Sequence, residues 1–583
     1  MGALEIIGSP TARAADDAPI PVRDFFRHPE RGYFRISPDG KTLAFMQPYE
    51  RRMNIYVQPL AGGEPVRLTS ETARDIADHF WKGPDRLVYV KDFGGDENFH
   101  VVAVNKDGSG TRDLTPFDGV RAEIIDQLRD FPDELLIGLN KRNKEVFDAY
   151  RLDLRNGYRD GAAGPFRTVL TTSFHDSFNP LFFTFDNKLL YAASNIGRDK
   201  EAIVLVDPAT AKEQRVLFEH PAVDVGGLAY SHKRKVLTTI SYVTWKPQRK
   251  YLDAETEKLF AALEKQLPGY EFGIQSMTDD EDRLIVAAYN DRTPGTRYLY
   301  DARADKLTKL GEIAPWLPEA KMARMKPITY KSRDGLTING YVTLPNGKGT
   351  KNLPVVVNPH GGPWARDVWG WNPEVQMLAN RGYAVLQMNF RGSTGYGRSF
   401  WQASFKQWGR KMQDDVTDGV DYLVKEGIAD PKRVCIYGGS YGGYATLAGV
   451  TYTPDLYACA VDYVGVSNLF TFMNTIPPYW KPYLDMTHEM VGDPVKDKEL
   501  LTATSPALNV DRIKTPLFIA QGARDPRVNI DESNQMVKAL KARGVDVPYM
   551  VKENEGHGFR NEENQFDFYE AMERFLAKYL SKG

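Results

Sequence analysis

Arg433-Val434-Cys435-Ile436-Tyr437-Gly438-Gly439-Ser440-Tyr441-Gly442-Gly443-Tyr444-Ala445 joins an apolar run to a glycine-rich turn and a helical segment. Val434 to Tyr437 is a short apolar run, the pattern of a buried strand. It stops at Gly-Gly-Ser-Tyr-Gly-Gly, and from Ala445 to Val450 the residues favour a helix. Gly438-x-Ser440-x-Gly442 in a strand–turn–helix context predicts a nucleophile elbow. The turn is too tight for a Cβ beside the serine, which is why glycines flank it. Such a turn lifts the Ser440 hydroxyl above the sheet. It also sets the N–H of Tyr441 at a helix start, where negative charge is stabilised.

A lone serine hydroxyl is a poor nucleophile, so a base must accompany it. Only two histidines follow Ser440, His488 and His557. His557 sits in a glycine-flanked loop (Glu555-Gly556-His557-Gly558-Phe559) directly after the last expected strand, whereas His488 falls in an excursion between strands. The acid must lie between Ser440 and His557. Asp525 follows the strand Leu517–Gly522 and is placed to hold an imidazole. Asp511 precedes that strand, and Asp531 begins the next helix, where a carboxylate is usually a cap. Asn358-Pro359-His360-Gly361-Gly362-Pro363 follows the strand Val355–Val357. It occupies the loop that supplies the second backbone N–H of an oxyanion hole, from Gly361 or Gly362.

Around these motifs, strands at 355–357, 384–386, 434–436, 458–461, 517–519 and 547–551 alternate with helical segments near 373–380, 413–426, 443–452, 531–543 and 565–581. A hairpin signal at Asp334-Gly335 precedes them. Continuous apolar strands between amphipathic helices predict a doubly wound, mainly parallel α/β sheet over 321–583. Residues 31–320 read differently. Strand pairs closed by turns such as Asp39-Gly40 and Asp107-Gly108 recur about every 45 residues, predicting an all-β propeller of six or seven blades. Residues 250–269 interrupt the repeat with helical spacing of Leu252, Leu259, Phe260, Leu263 and Leu267. They read as an amphipathic helix on the propeller rim or, less simply, a lid.

The chain has 583 residues, more than one core can organise, and a net charge of −2. No electrostatic case for nucleic-acid binding arises, and no apolar run is long enough to span a membrane. The two cysteines, Cys435 and Cys459, lie in apolar strands and read as core residues rather than as disulfide or zinc ligands. No motif calls for a metal or cofactor. Residues 1–30 form an N-terminal segment. Ala3 to Asp16 is weakly apolar with a small-x-small site and reads as the tail of a trimmed secretory signal followed by a short helix. Glu5 weakens that reading, so periplasmic, secreted and cytoplasmic locations stay open.

Four motifs in this order carry a resemblance across nearly the whole chain: Gly-Gly-Ser-Tyr-Gly-Gly-Tyr (438–444), Gly-Ala-Arg-Asp-Pro-Arg-Val (522–528), Glu-Gly-His-Gly-Phe (555–559) and Asn-Phe-Arg-Gly-Ser-Thr-Gly-Tyr-Gly (389–397). Behind a propeller, they resemble the prolyl oligopeptidase family of serine peptidases. His-Gly-Gly-Pro at 360–363 is most similar to the acylaminoacyl-peptidase and bacterial dipeptidyl-aminopeptidase-like branch. The resemblance implies an exo- or oligopeptidase acting on short peptides through an acyl-enzyme, with the propeller restricting large substrates. It implies Ser440, Asp525 and His557 as triad and Tyr441 with Gly361 or Gly362 as oxyanion donors. It further implies Arg527 on the substrate backbone, and Tyr444, Val466 and Phe472 as pocket walls or, equally, plain core. It also implies association into dimers or larger rings. His360 departs from relatives that place a tyrosine hydroxyl there, which favours a backbone-only hole. No glutamate pair for a free amino terminus is legible: Asp96-Glu97 and Asp279-Asp280-Glu281 read as solvated turns. A carboxylesterase and an inert peptide-binding propeller are the competing functions.

Overall fold

The structure is a computed structural model that describes residues 18–155, 157–159 and 168–581. The expected signal remnant before residue 18 lies outside the described residues. Six antiparallel sheets follow one another along the first half, beginning at Gly32, Asp78, Ala122, Phe178, Val225 and Glu271. Five have four strands and the one at 225–251 has three; among the described residues there is no seventh. The strand period of two explains how they pack. In the second blade Leu87 and Tyr89 face Ala44, Met46 and Ile55 of the first. Val88, between them, faces Leu135, Ile137 and Leu139 of the third. Phe34, Ile36 and Phe45 of the first blade meet Ile285 of the sixth, so the ring closes. The protein therefore combines a six-bladed propeller with an α/β-hydrolase sheet.

That sheet has eight strands: β1 (Met325–Lys331), β2 (Thr337–Thr343), β3 (Leu353–Val357), β4 (Ala384–Asn389), β5 (Ala429–Gly439), β6 (Cys459–Tyr463), β7 (Leu517–Gly522) and β8 (Tyr549–Lys552). Their order is β1-β2-β4-β3-β5-β6-β7-β8. Only the β1–β2 and β2–β4 pairs are antiparallel. Alternate residues feed two cores. Val355, Val357, Leu386 and Ile436 pack under the helices Lys411–Lys425, Tyr441–Tyr452 and Asp531–Ala542. Val356, Val385, Tyr437 and Val461 pack under Pro373–Asn380 and Glu562–Leu580. Cys435 and Cys459 are neighbours in this second core, fully buried and unbridged. Burial pushes the Cys435 thiol well above its ordinary range.

The short helix Val22–Phe26 docks on the same face, with Phe26 stacked on Tyr569 at 3.6 Å. The rim helix Ala254–Gln266 is capped by Asp253, whose side chain accepts from Thr256 N–H. It lays Phe260, Leu263 and Leu267 on Phe272, Leu284 and Tyr300 of the sixth blade. One set of ties between the propeller and the sheet domain runs through the segment after β4. Asp224 accepts from the Gly397 N–H, Asp199 from the Ser399 N–H, and Arg398 pairs with Asp176 at 2.7 Å. Among the described residues no helix is long and apolar enough to cross a membrane.

Candidate active site

Three strand ends converge on one point. Ser440 follows β5, Asp525 follows β7 and His557 follows β8. His557 Nε2 lies 2.9 Å from Ser440 Oγ, and His557 Nδ1 lies 2.7 Å from Asp525 Oδ2. Ser440 has φ 61° and ψ −120°, a strained backbone that costs about 1–3 kcal/mol. It is held there from both sides: its N–H donates to Tyr463 O, and its carbonyl accepts the first helical bond from Tyr444 N–H. The glycine requirement is explicit. A Cβ at Gly438 would lie 2.6 Å from the Gly442 carbonyl carbon, and one at Gly442 only 2.2 Å from Pro359 O. The loop 359–362 thus lies against the elbow, and a Cβ at Gly361 would come within 3.4 Å of Ser440 Cβ. His360 stacks on Phe390 and approaches Ser393 Oγ through Nε2 at 2.9 Å. Burial pulls its imidazole down to about 4, so it is neutral here.

Asp525 is buried and tightly fixed. Its Oδ1 accepts from Arg527 N–H and Val528 N–H, both at 2.9 Å, and its Oδ2 accepts from Gln521 Nε2 as well as facing His557. The His557 loop is anchored by Glu555, which has no exposed surface. Its carboxylate accepts from Arg560 N–H, Asn561 N–H and Asn564 Nδ2, and pairs with Arg74 of the propeller at 2.8 Å.

The other residues named from the sequence separate into two groups. Arg527 reaches across the domain junction: its Nε and Nη2 lie 3.0 and 2.9 Å from Glu97 Oε2. Tyr444 is fully buried against Trp408 and donates its hydroxyl to Thr504 O. Val466 is buried in the same cluster, and Phe472 lies half-buried at its edge. His488 belongs to the helix Leu484–Met490 in the excursion after β6.

Glu97 differs from its sequence reading as a solvated turn. Asp96 does cap that turn, accepting from Asn98 N–H. Glu97 instead adopts φ 57°, is 6% exposed and meets Arg121 as well as Arg527 through Oε2. Oε1 has no hydrogen-bond partner among the described residues. Its loop abuts the loop of His557, for a Cβ at Gly95 would lie 2.8 Å from Gly556 N. Asp279 and Asp280 stay in solvent as read. The pairings of Arg74, Glu97, Arg121 and Glu555 escaped the sequence reading because the partners lie far apart in the chain, on the other domain or in a neighbouring loop.

Asp462, near the end of β6, is buried directly beneath the elbow. Cβ atoms at Gly443 and Gly465 would lie 2.4 and 2.1 Å from its Oδ1. Burial, with the Glu532 carboxylate nearby, pushes its carboxyl up to about 8. The folded protein therefore holds this proton at neutral pH, whereas the unfolded chain releases it near 3.8. The associated stability is complete below the unfolded value and is lost as pH rises toward 8, at up to about 1.4 kcal/mol per pH unit. Asp462→Asn keeps the shape and removes the titration. Its melting temperature should exceed that of the wild type at pH 8, and the gap should close toward pH 4. Parallel melting curves across that range would refute the assignment.

Comparison with known proteins fits this architecture. The model of the prolyl oligopeptidase family matches residues 369–583. Dipeptidyl aminopeptidase BIII of Pseudoxanthomonas mexicana is 39% identical, covering 95% of this chain and 88% of that protein. The chain belongs to the prolyl oligopeptidase family. It is a serine-type peptidase, built as a propeller and a hydrolase domain. Dipeptidyl peptidase family member 6 of Caenorhabditis elegans is 28% identical over 96% of the chain and 86% of its own length. The crystal structure of a puromycin hydrolase shares the fold at 20% identity, with a TM-score of 0.76 and 96% of each chain covered.

Proposed function

We propose that this family member hydrolyses short peptides by acyl transfer through Ser440, with His557 as general base and acid and Asp525 holding the imidazole. The hydrogen-bond chain from Ser440 Oγ through His557 to Asp525 Oδ2 carries the reading. His557 Nε2 takes the hydroxyl proton as Oγ attacks the scissile carbonyl. The negative charge that develops on the carbonyl oxygen is met by the Tyr441 N–H at the helix start and an N–H from Gly361 or Gly362. The imidazolium returns its proton to the leaving amine, and water repeats the sequence to free the acyl group. Access runs through the junction with the propeller, whose loop 93–98 abuts the loop of His557.

The substrate's amino end is read by Glu97. This carboxylate stands beside Arg527, two residues from the acid, with Oε1 free to accept from an ammonium. Arg527 turns its remaining N–H donors to the substrate backbone. A site of this kind favours a free amino terminus over an acylated one, as an aminopeptidase requires. The name of the 39%-identical relative agrees with that reading. Paired p-nitroanilides test it, one dipeptidyl with a free amine and the other N-acetylated. The free amine should be preferred by about tenfold to a hundredfold in kcat/KM, a charged hydrogen bond's worth, and Glu97→Gln should erase most of the preference. Faster cleavage of the acetylated substrate would reverse the assignment.

A further inference from the structure

The excursion after β6 returns to the propeller beside Glu97. Its 3-10 turn Pro478–Tyr483 packs against the third-blade strand Val146–Asp153. Lys481 Nζ pairs with Glu145 Oε1 at 3.3 Å. The Arg121 guanidinium lies 5.2 Å from the centre of the Tyr479 ring, close enough for a cation–π contact. Where turn and blade meet there is a cavity of about 510 Å³, a volume typical of small-molecule sites. Its apolar walls come from both domains: Val146 and Phe147 from the propeller, and Tyr479, Trp480 and Tyr483 from the sheet domain. Tyr444, Val466 and Phe472, the pocket walls implied by the sequence, do not border it.

Position and charge decide what this cavity can receive. Arg121 and Arg527, the two arginines on Glu97 Oε2, also border it, so the carboxylate stands one side chain away. A residue held by its ammonium on Glu97 Oε1 has the cavity beside it for its own side chain. The charged groups at the border are engaged: Arg121 with Glu97 and Glu123, Arg527 with Glu97, and Glu145 with Lys481. A charged side chain would have to break one of these pairs. The surface left to a ligand is aromatic and aliphatic, and Val146 and Tyr483 are exposed. Covering such surface with another apolar group is favourable.

We propose that this cavity takes the side chain of the substrate's amino-terminal residue, and that Phe147 and Trp480, one from each domain, select aromatic and large aliphatic side chains there. Because each domain supplies one wall, removing either ring should undo the selection.

The proposal rests on the Glu97 reading above, and its test separates the two. Free-amine tetrapeptides that differ only in the first residue (Gly, Leu, Phe, Lys or Glu, followed by three alanines) are compared by mass-spectrometric kcat/KM, with an acetylated Phe peptide alongside. The wild type should cleave the Phe and Leu peptides about tenfold to a hundredfold faster than the Gly peptide, the fold-change that burying one large apolar side chain supports. The Phe-to-Gly ratio should fall near one in Phe147→Ala and in Trp480→Ala, and Phe147→Leu should keep part of it. A wild-type ratio near one, with the free amine still preferred, overturns the aromatic subsite and leaves the Glu97 reading standing. Preference for Lys or Glu over Phe overturns it as well. So does a ratio kept in both alanine variants with all peptides slowed equally, which assigns the two rings to packing of the junction.

Discussion

Ser440→Ala lowers kcat/KM for peptide amides by about ten-thousandfold to a millionfold, leaving only what the oxyanion donors and binding provide over water. The variant should remain folded. Alanine keeps the N–H to Tyr463 O and the carbonyl that caps the helix, and it inherits the backbone strain of Ser440 unchanged. Melting temperature should therefore move by only a few degrees, a shift within what about 1 kcal/mol produces. A fluorophosphonate probe should label the wild type and not the variant, which separates loss of the nucleophile from loss of the fold. Peptidase activity within a few per cent of the wild type in well-folded Ser440→Ala would remove this serine from the mechanism.

The parts of the site that were legible are those that topology dictates. In a parallel sheet, function gathers at the carboxyl ends of strands. Ser440, Asp525 and His557 could therefore be picked out by asking which polar residue follows which apolar run. The blades were legible because apolar strand pairs recur about every 45 residues. Of the three-stranded blade at 225–251 only the strand beginning near Lys235 stood out. Contacts between domains left no mark: Glu97 and Arg527 are separated by most of the chain, as are Arg74 and Glu555. Whether a carboxylate in a glycine-rich turn is solvated or buried depends on what docks over it. Nor could the sequence separate a pocket wall from core. Tyr444 is sealed with its hydroxyl on Thr504 O, whereas Phe472, packed against the same core, keeps an exposed edge.

These cross-domain contacts give the propeller a second task besides covering the strand ends. Arg74 fixes Glu555, Glu555 fixes the loop that carries His557, and Glu97 fixes the arginine beside Asp525. His557 and Asp525 are thus both braced from the propeller side, whereas Ser440 is braced within the sheet domain by Tyr463 and Tyr444. Opening the junction to admit substrate would loosen the imidazole before it disturbed the nucleophile.

Asp525→Asn should cost about ten-thousandfold in kcat with little change in KM, because the substitution reverses the imidazole's tautomer without removing a group that binds substrate. The direction follows from the bonds around the carboxylate. Oδ1 accepts from two backbone N–H groups, those of Arg527 and Val528, so an asparagine must keep its carbonyl oxygen at that position. Its NH2 then falls where Oδ2 now faces His557 Nδ1 and Gln521 Nε2. Nδ1 becomes an acceptor, Nε2 carries the hydrogen, and that hydrogen points at Ser440 Oγ, leaving no base for the hydroxyl proton. Gln521 can retreat to Gly522 O and Val528 O, which it already reaches, so the fold should survive. The loss should shrink as pH rises, because hydroxide replaces the missing base. A variant within tenfold of the wild type at neutral pH, with unchanged melting temperature, would show that Asp525 does not set the imidazole's tautomer.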